Sequence, residues 1–126
     1  MRDILVVDDS KLMRDMIVAC LRPAGELAFT HAPSGLEAIE RLSLKAFALV
    51  ILDLNMPDIG GIEVLEFVRG QDALRSLPVI VVTTRGDDAS RAAALAAGAT
   101  RFVTKPFTPD AMLAEVRALL GPVEQR

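Results

Sequence analysis

Four short apolar runs in this chain lead into side chains that can take part in chemistry. Ile4 to Val7 runs into Asp8-Asp9, Phe47 to Leu52 into Asp53, and Val79 to Val82 into Thr83-Thr84. Phe102-Val103 is followed, one residue on, by Lys105-Pro106. If these ends meet, three carboxylates share one spot, and they cannot all ionise cheaply unless a cation joins them. Hard oxygen ligands around a small site suit Mg2+, which keeps several waters and accepts phosphate oxygens. One Mg2+ together with Lys105 would bring the formal charge of Asp8, Asp9 and Asp53 to zero. Lysine is a point-charge partner for a phosphate oxygen, and Thr83 adds a hydroxyl donor. A nucleophilic carboxylate, a divalent metal, a lysine and a hydroxyl are what phosphoryl transfer requires.

Each of these residues also has a plain reading by itself. An Asp-Asp pair ahead of a helix can be an N-cap with a favourable dipole partner. Asp53 can simply start a loop, Thr83 can be structural, and a lysine before proline is unremarkable alone. Only the conjunction is informative, so the elements that would assemble it decide the matter.

The apolar segments alternate between two textures. Five are short and rich in Val, Ile or Phe: Ile4 to Val7, Leu27 to Thr30, Phe47 to Leu52, Val79 to Val82, and Phe102-Val103. Longer stretches with helical spacing lie between and after them. Near-continuous apolar strands separated by amphipathic helices indicate a parallel sheet covered on both faces. In the first helix Leu12, Met13, Met16, Ile17, Cys20 and Leu21 form one stripe, with Ser10 as its cap and Pro23 after its end. Ser34 with Glu37 reads as a capping box for the second helix, which carries Leu36, Ile39 and Leu42. The third runs from about Ile62 to Arg69, with Gly70 placed to take the left-handed conformation at its end. The fourth, Asp88 to Ala97, is alanine-rich, stops at Gly98 and has a weak apolar face, which predicts loose packing. Thr108-Pro109 opens the fifth, which continues through Met112, Val116, Leu119 and Leu120.

The sum is an α/β chain of (βα)5 form, three layers deep. Its expected strand order is 2-1-3-4-5, the flavodoxin-like winding, which sets strands 1 and 3 side by side about 4.8 Å apart. Ligands in such sheets bind outside the carboxyl ends of the strands, where all four chemical ends lie.

Composition excludes more than it identifies. A chain of 126 residues fits one domain. Its only cysteine, Cys20, cannot form an internal disulfide, which suits a reducing cytoplasm. No apolar run approaches the roughly 18 residues of a membrane span. Fourteen basic against seventeen acidic residues, net charge -3, leave no basic stripe for nucleic acid. Cys20 is expected in core packing, and His31, the single histidine, as a surface loop residue.

At this point the chain resembles the response-regulator receiver domain, in its CheY-like single-domain form. The resemblance covers about residues 3 to 120 and is carried by Val6-Val7-Asp8-Asp9-Ser10, by Asp53-Leu54-Asn55-Met56-Pro57 with Gly61, by Leu77-Pro78 through Thr83, by Gly98-Ala99, and by Lys105-Pro106-Phe107. It implies a receiver domain over residues 1–122 followed by a short tail, 123–126. It implies that Asp53 accepts phosphate from a phosphohistidine on a histidine kinase or phosphotransfer protein. Asp9 would bind Mg2+ directly and Asp8 mostly through water, with Asp53 and the Asn55 backbone carbonyl completing the metal site. Lys105 would pair with the phosphoryl group across a cis bond to Pro106. Thr83 and Phe102 would form the switch, Thr83 moving to the phosphoryl oxygens and Phe102 turning inward. The surface of the fourth helix, fifth strand and fifth helix, with Arg91 and Arg101, would be read by a downstream protein target. Asn55 and Arg85 stand where relatives tune the phosphate's lifetime. Phe102 replaces the tyrosine of many members, leaving packing but no phenolic hydrogen bond.

Other classes fit less well. A small aspartyl-phosphate hydrolase would want an Asp-x-Asp pattern and room for a cap. A flavin carrier would want a Ser/Thr/Gly-rich phosphate loop and an aromatic to stack on, yet Trp and Tyr are absent. A degenerate receiver, used unphosphorylated for docking, would not need every reactive position intact. After Leu120 only Gly121 to Arg126 remain, so if the chain is whole its output is a protein contact.

Overall fold

The computed structural model describes residues 2–56 and 59–121. Five strands alternate with five helices: β1 (Arg2–Val7), α1 (Lys11–Leu21), β2 (Leu27–Ala32), α2 (Gly35–Leu44), β3 (Leu49–Asp53), α3 (Gly61–Gly70), β4 (Val79–Thr83), α4 (Asp88–Ala97), β5 (Arg101–Thr104) and α5 (Pro109–Leu120). All neighbouring strands pair in parallel, in the order β2-β1-β3-β4-β5. Pro57 of the sequence motif and the tail 123–126 lie outside the described residues.

Side chains alternate across a strand, and the strands accordingly feed two cores. Leu5, Val7, Val50, Leu52, Val79 and Val81 pack with Ala38, Leu42, Val64, Leu65, Val68 and Ala94 of α2, α3 and α4. Ile4, Val6, Leu49, Ile51, Ile80, Val82 and Val103 pack with Ile17, Leu21, Met112 and Val116 of α1 and α5. Strands buried on both faces have no polar side, which is why they read as unbroken apolar runs.

Helix starts follow the sequence reading. Met13 N donates to Ser10 Oγ, Glu37 N to Ser34 Oγ, and Ala111 N to Thr108 Oγ1, satisfying first-turn donors. Helix faces depart from it. The buried face of α1 is Arg14, Ile17, Val18 and Leu21, while Leu12 and Met16 are 71% and 48% exposed. The six-residue stripe is wider than the sheet can cover, and its outer edge, Leu12 and Met16, turns toward solvent. There Met16, Ala19 and Cys20 line a shallow apolar hollow with Pro109, and burial raises the Cys20 thiol pKa. Cys20 is thus half-buried at the margin of the core. In α2, Gly35, Ala38 and Leu42 are buried and Leu36 is exposed.

The end of α3 also differs from expectation. Gly70 lies in the last turn without positive φ, and the chain leaves through extended Gln71, whose N–H donates to Val68 O. A short 3-10 turn, Asp72–Leu74, follows at once and removes the need for a left-handed residue. Gly98 does take that role, closing α4 at φ 112 with its N–H on Ala94 and Leu95 carbonyls. Only Ala94 of α4 is buried, as the weak apolar face predicted.

Candidate functional site

Register builds the site. Val7 pairs with Leu52, so Asp8 and Asp53 follow one step later on adjacent strands. Both share the parity of Val6 and Ile51 and belong to the α1/α5 side of the sheet. Lys105, one step beyond the Thr83–Thr104 pair, has the parity of Val103 and falls on that side too. Thr83 and Phe102 have the opposite parity and fall on the α3/α4 side. The strand period of two therefore separates the charged cluster from Thr83 and Phe102.

The charged cluster is compact. Carboxylate oxygens of Asp8, Asp9 and Asp53 lie within 4.8 Å of one another; Asp8 and Asp53 are buried and Asp9 is exposed. Lys105 Nζ is 3.1 Å from Asp8 Oδ2 and 3.5 Å from Asp53 Oδ1, with its side chain only 14% exposed. The Lys105–Pro106 bond is cis, as the resemblance implied. Lys105 N also donates to Thr83 O at 2.7 Å, which fixes the root of the lysine to β4.

Asp53 is 3% exposed and accepts from Asn55 N at 3.1 Å. Burial raises its pKa above the ordinary carboxylate value and the neighbouring Asp8 charge adds to the rise, while the Asn55 N–H and Lys105 oppose it. The loop behind it is held closely. A Cβ on Gly61 would come within 2.7 Å of Asp53 O and of Leu54 Cα, so α3 can begin there only with glycine.

Asp8 has support that sequence reasoning missed. Its Oδ1 accepts from Ser10 N at 2.9 Å, and its backbone carbonyl accepts from Arg14 Nη1. Arg14 Nε donates in turn to His31 Nδ1 at 3.1 Å. Arg14 is 8% exposed. An arginine between Met13 and Asp15 gives no sign of burial in sequence, because its partners come from β1 and β2. His31 is correspondingly a half-buried residue of β2, not a loop histidine.

On the other side, Thr83 is 1% exposed and its Oγ1 accepts from Asn55 Nδ2 at 2.9 Å and Arg85 N at 3.1 Å. Phe102 is half-buried, with the Arg91 guanidinium 4.7 Å from its ring centroid. The Arg85 side chain is exposed and pairs with Asp87 at 3.8 Å. Arg101 pairs with Glu115 at 3.6 Å.

Comparison with known proteins agrees with this fold. The family model described as the response regulator receiver domain matches residues 4–117. Chemotaxis protein CheY1 of Helicobacter pylori is 36% identical over 119 residues, covering 94% of this chain and 96% of the relative. Vibrio cholerae chemotaxis protein CheY4 superposes with a TM-score of 0.88 at 32% identity, covering 95% of this chain and 99% of that one. The signal receiver domain of a signal transduction histidine kinase from Syntrophus aciditrophicus gives the same TM-score and identity, covering 100% of this chain and 95% of that one. Among the described residues no helix is long and apolar enough to cross a membrane. The chain belongs to the response regulator receiver domain family, the phosphoaccepting modules of two-component and chemotaxis-type signalling.

Proposed function

We propose that Asp53 is the phosphoacceptor and that a phosphohistidine, on a histidine kinase or phosphotransfer protein, is its donor. A carboxylate oxygen of Asp53 attacks phosphorus while the phosphorus–nitrogen bond of the donor breaks. The bonding pair stays with the imidazole nitrogen, which then takes up a proton. One observation carries this: a buried aspartate converging on two further carboxylates, with a mostly buried lysine 3.5 Å from it.

That donor set suits Mg2+. Three hard carboxylates share less than 5 Å of space and have one ammonium among them. Asp8, Asp9, Asp53 and the Asn55 backbone carbonyl would hold the ion, which when bound neutralises charge on the transferring phosphoryl oxygens. Lys105 gives those oxygens a fixed cation, already placed between Asp8 and Asp53. Thr83 supplies a hydroxyl from the next strand end, and Phe102 follows it on the α3/α4 side. Phosphorylation adds charge and three strong acceptor oxygens at Asp53, drawing Thr83 away from its resting partners. The change would reach a protein target through the face of α4, β5 and α5, where Arg91 and Arg101 stand. Asn55, two residues after the acceptor, and Arg85, two residues after Thr83, would set how long the phosphate lasts.

The test is incubation with acetyl phosphate and Mg2+, read by intact mass. A gain of about 80 Da, the mass of one added phosphoryl group, is expected for the native chain and not for Asp53→Ala. A gain that persists in Asp53→Ala refutes the assignment.

A further inference from the structure

Asn55 touches both halves of the divided site. Its backbone N–H donates to Asp53 Oδ1 at 3.1 Å on the charged side. Its carboxamide Nδ2 donates to Thr83 Oγ1 at 2.9 Å on the switch side, with a weaker approach to Thr84 Oγ1 at 3.4 Å. A hydroxyl oxygen has two acceptor lone pairs. In Thr83 the Asn55 amide and the Arg85 N–H occupy both.

We infer that the Asn55 side chain is a positioning residue for Thr83: it holds the hydroxyl in its resting rotamer, so that Thr83 can turn toward the acceptor only by giving up this bond. This deepens the phosphoacceptor reading and rests on it for its meaning in signalling. Asn55 itself is exposed, so water resolvates its amide when Thr83 leaves. The hold is correspondingly modest, which suits a switch that a single phosphoryl group must throw. The same residue carries the backbone N–H bound to the acceptor, so any movement of the loop after Asp53 is felt at Thr83 without crossing the sheet.

The resting rotamer is measurable directly. With methyl-labelled threonine in the full chain, three-bond couplings from Thr83 Cγ2 to its backbone nitrogen and carbonyl carbon report χ1. The native protein, free of phosphate and metal, is expected in one rotamer. Asn55→Ala should raise the minor rotamer about five- to tenfold, the worth of one neutral hydrogen bond. Asn55→Leu should move it the same way, because an apolar side chain of similar size can neither donate to the hydroxyl nor accept from it; a residue acting only as a spacer would leave the Leu variant native-like. Thr84→Ala should leave the Thr83 couplings unchanged. Native couplings in both Asn55 variants, with native amide spectra elsewhere, would overturn the inference. These couplings are read without phosphate, so they stand or fall whether or not Asp53 accepts a phosphoryl group.

Discussion

The two ends of the sheet carry buried charge in opposite ways. At the amino ends of β4 and β5, the Arg69 guanidinium donates to the carbonyls of Leu77 at 2.7 Å, Gly98 at 3.0 Å and Arg75 at 3.0 Å, with Leu74 O and Thr100 Oγ1 at 3.4 Å. Burial lowers its pKa, yet its donors are met by neutral acceptors, and it ties the end of α3 to the turns before two strands. At the carboxyl ends of β1 and β3, carboxylates face carboxylates and share one lysine. The first arrangement is complete in itself. The second still demands positive charge, and a buried demand of that kind marks where a ligand belongs.

Breaking either end should give a different kind of loss. The largest effect is expected for Lys105→Met, which removes the cation between Asp8 and Asp53. Its phosphorylation rate with acetyl phosphate, followed by intact mass, should fall about 100- to 1000-fold, the cost of losing one preorganised group on a developing charge. A fall under tenfold would mean that Lys105 is structural, like Arg69. Arg69→Met is expected to cost about 1–3 kcal/mol in urea unfolding, since several part-buried carbonyls lose their donor. Its phosphorylation rate should stay within about twofold of native, because the clamp lies at the far end of the strands; a larger loss would couple the two ends.

The smallest effect concerns Asp53 itself in Mg2+-free solution. Burial and the Asp8 charge raise its pKa in the folded state. The folded chain thus binds this proton more tightly than the unfolded one. The resulting stability is full below the unfolded carboxylate pKa and is lost as pH rises through the folded value. Near neutral pH the ionised Asp53 therefore opposes folding, and Asp53→Asn should raise Tm by roughly 3–6 °C, as about 1 kcal/mol does in a domain of this size. The gain should vanish as pH falls below the ordinary carboxylate range. A Tm that drops at neutral pH would show that Lys105 already balances the site.

The same contrast explains what could be read from sequence. Strand ends were legible because an apolar run that stops at Asp8, Asp53, Thr83 or one residue short of Lys105 announces both the strand and its edge. Parity then sorts Asp8, Asp53 and Lys105 from Thr83 and Phe102. Helix faces were less legible. Leu12 and Met16 are as apolar as Ile17 and Leu21, and only the width of the sheet decides which pair it covers. Side-chain contacts outside the charged cluster were not legible. Arg14 looks solvated until β1 and β2 bring Asp8 O and His31 to it. The bond from Asn55 to Thr83 spans 28 positions and depends on a loop conformation that no spacing encodes.

The seating of α4 sets how the molecule comes apart. This helix rests on the core through Ala94, partly buried Ala97 and the Arg91 contact with Phe102, while Ala92, Ala93, Leu95 and Ala96 face outward. Segments so lightly anchored open at a fraction of the global unfolding free energy. Amide hydrogens of α4 therefore belong with the fast-exchanging class, while those of β1 and β3 wait for complete unfolding. A protein that gripped α4 would have little packed core to displace, and would need only to select, from a helix expected to open locally, the conformations that fit.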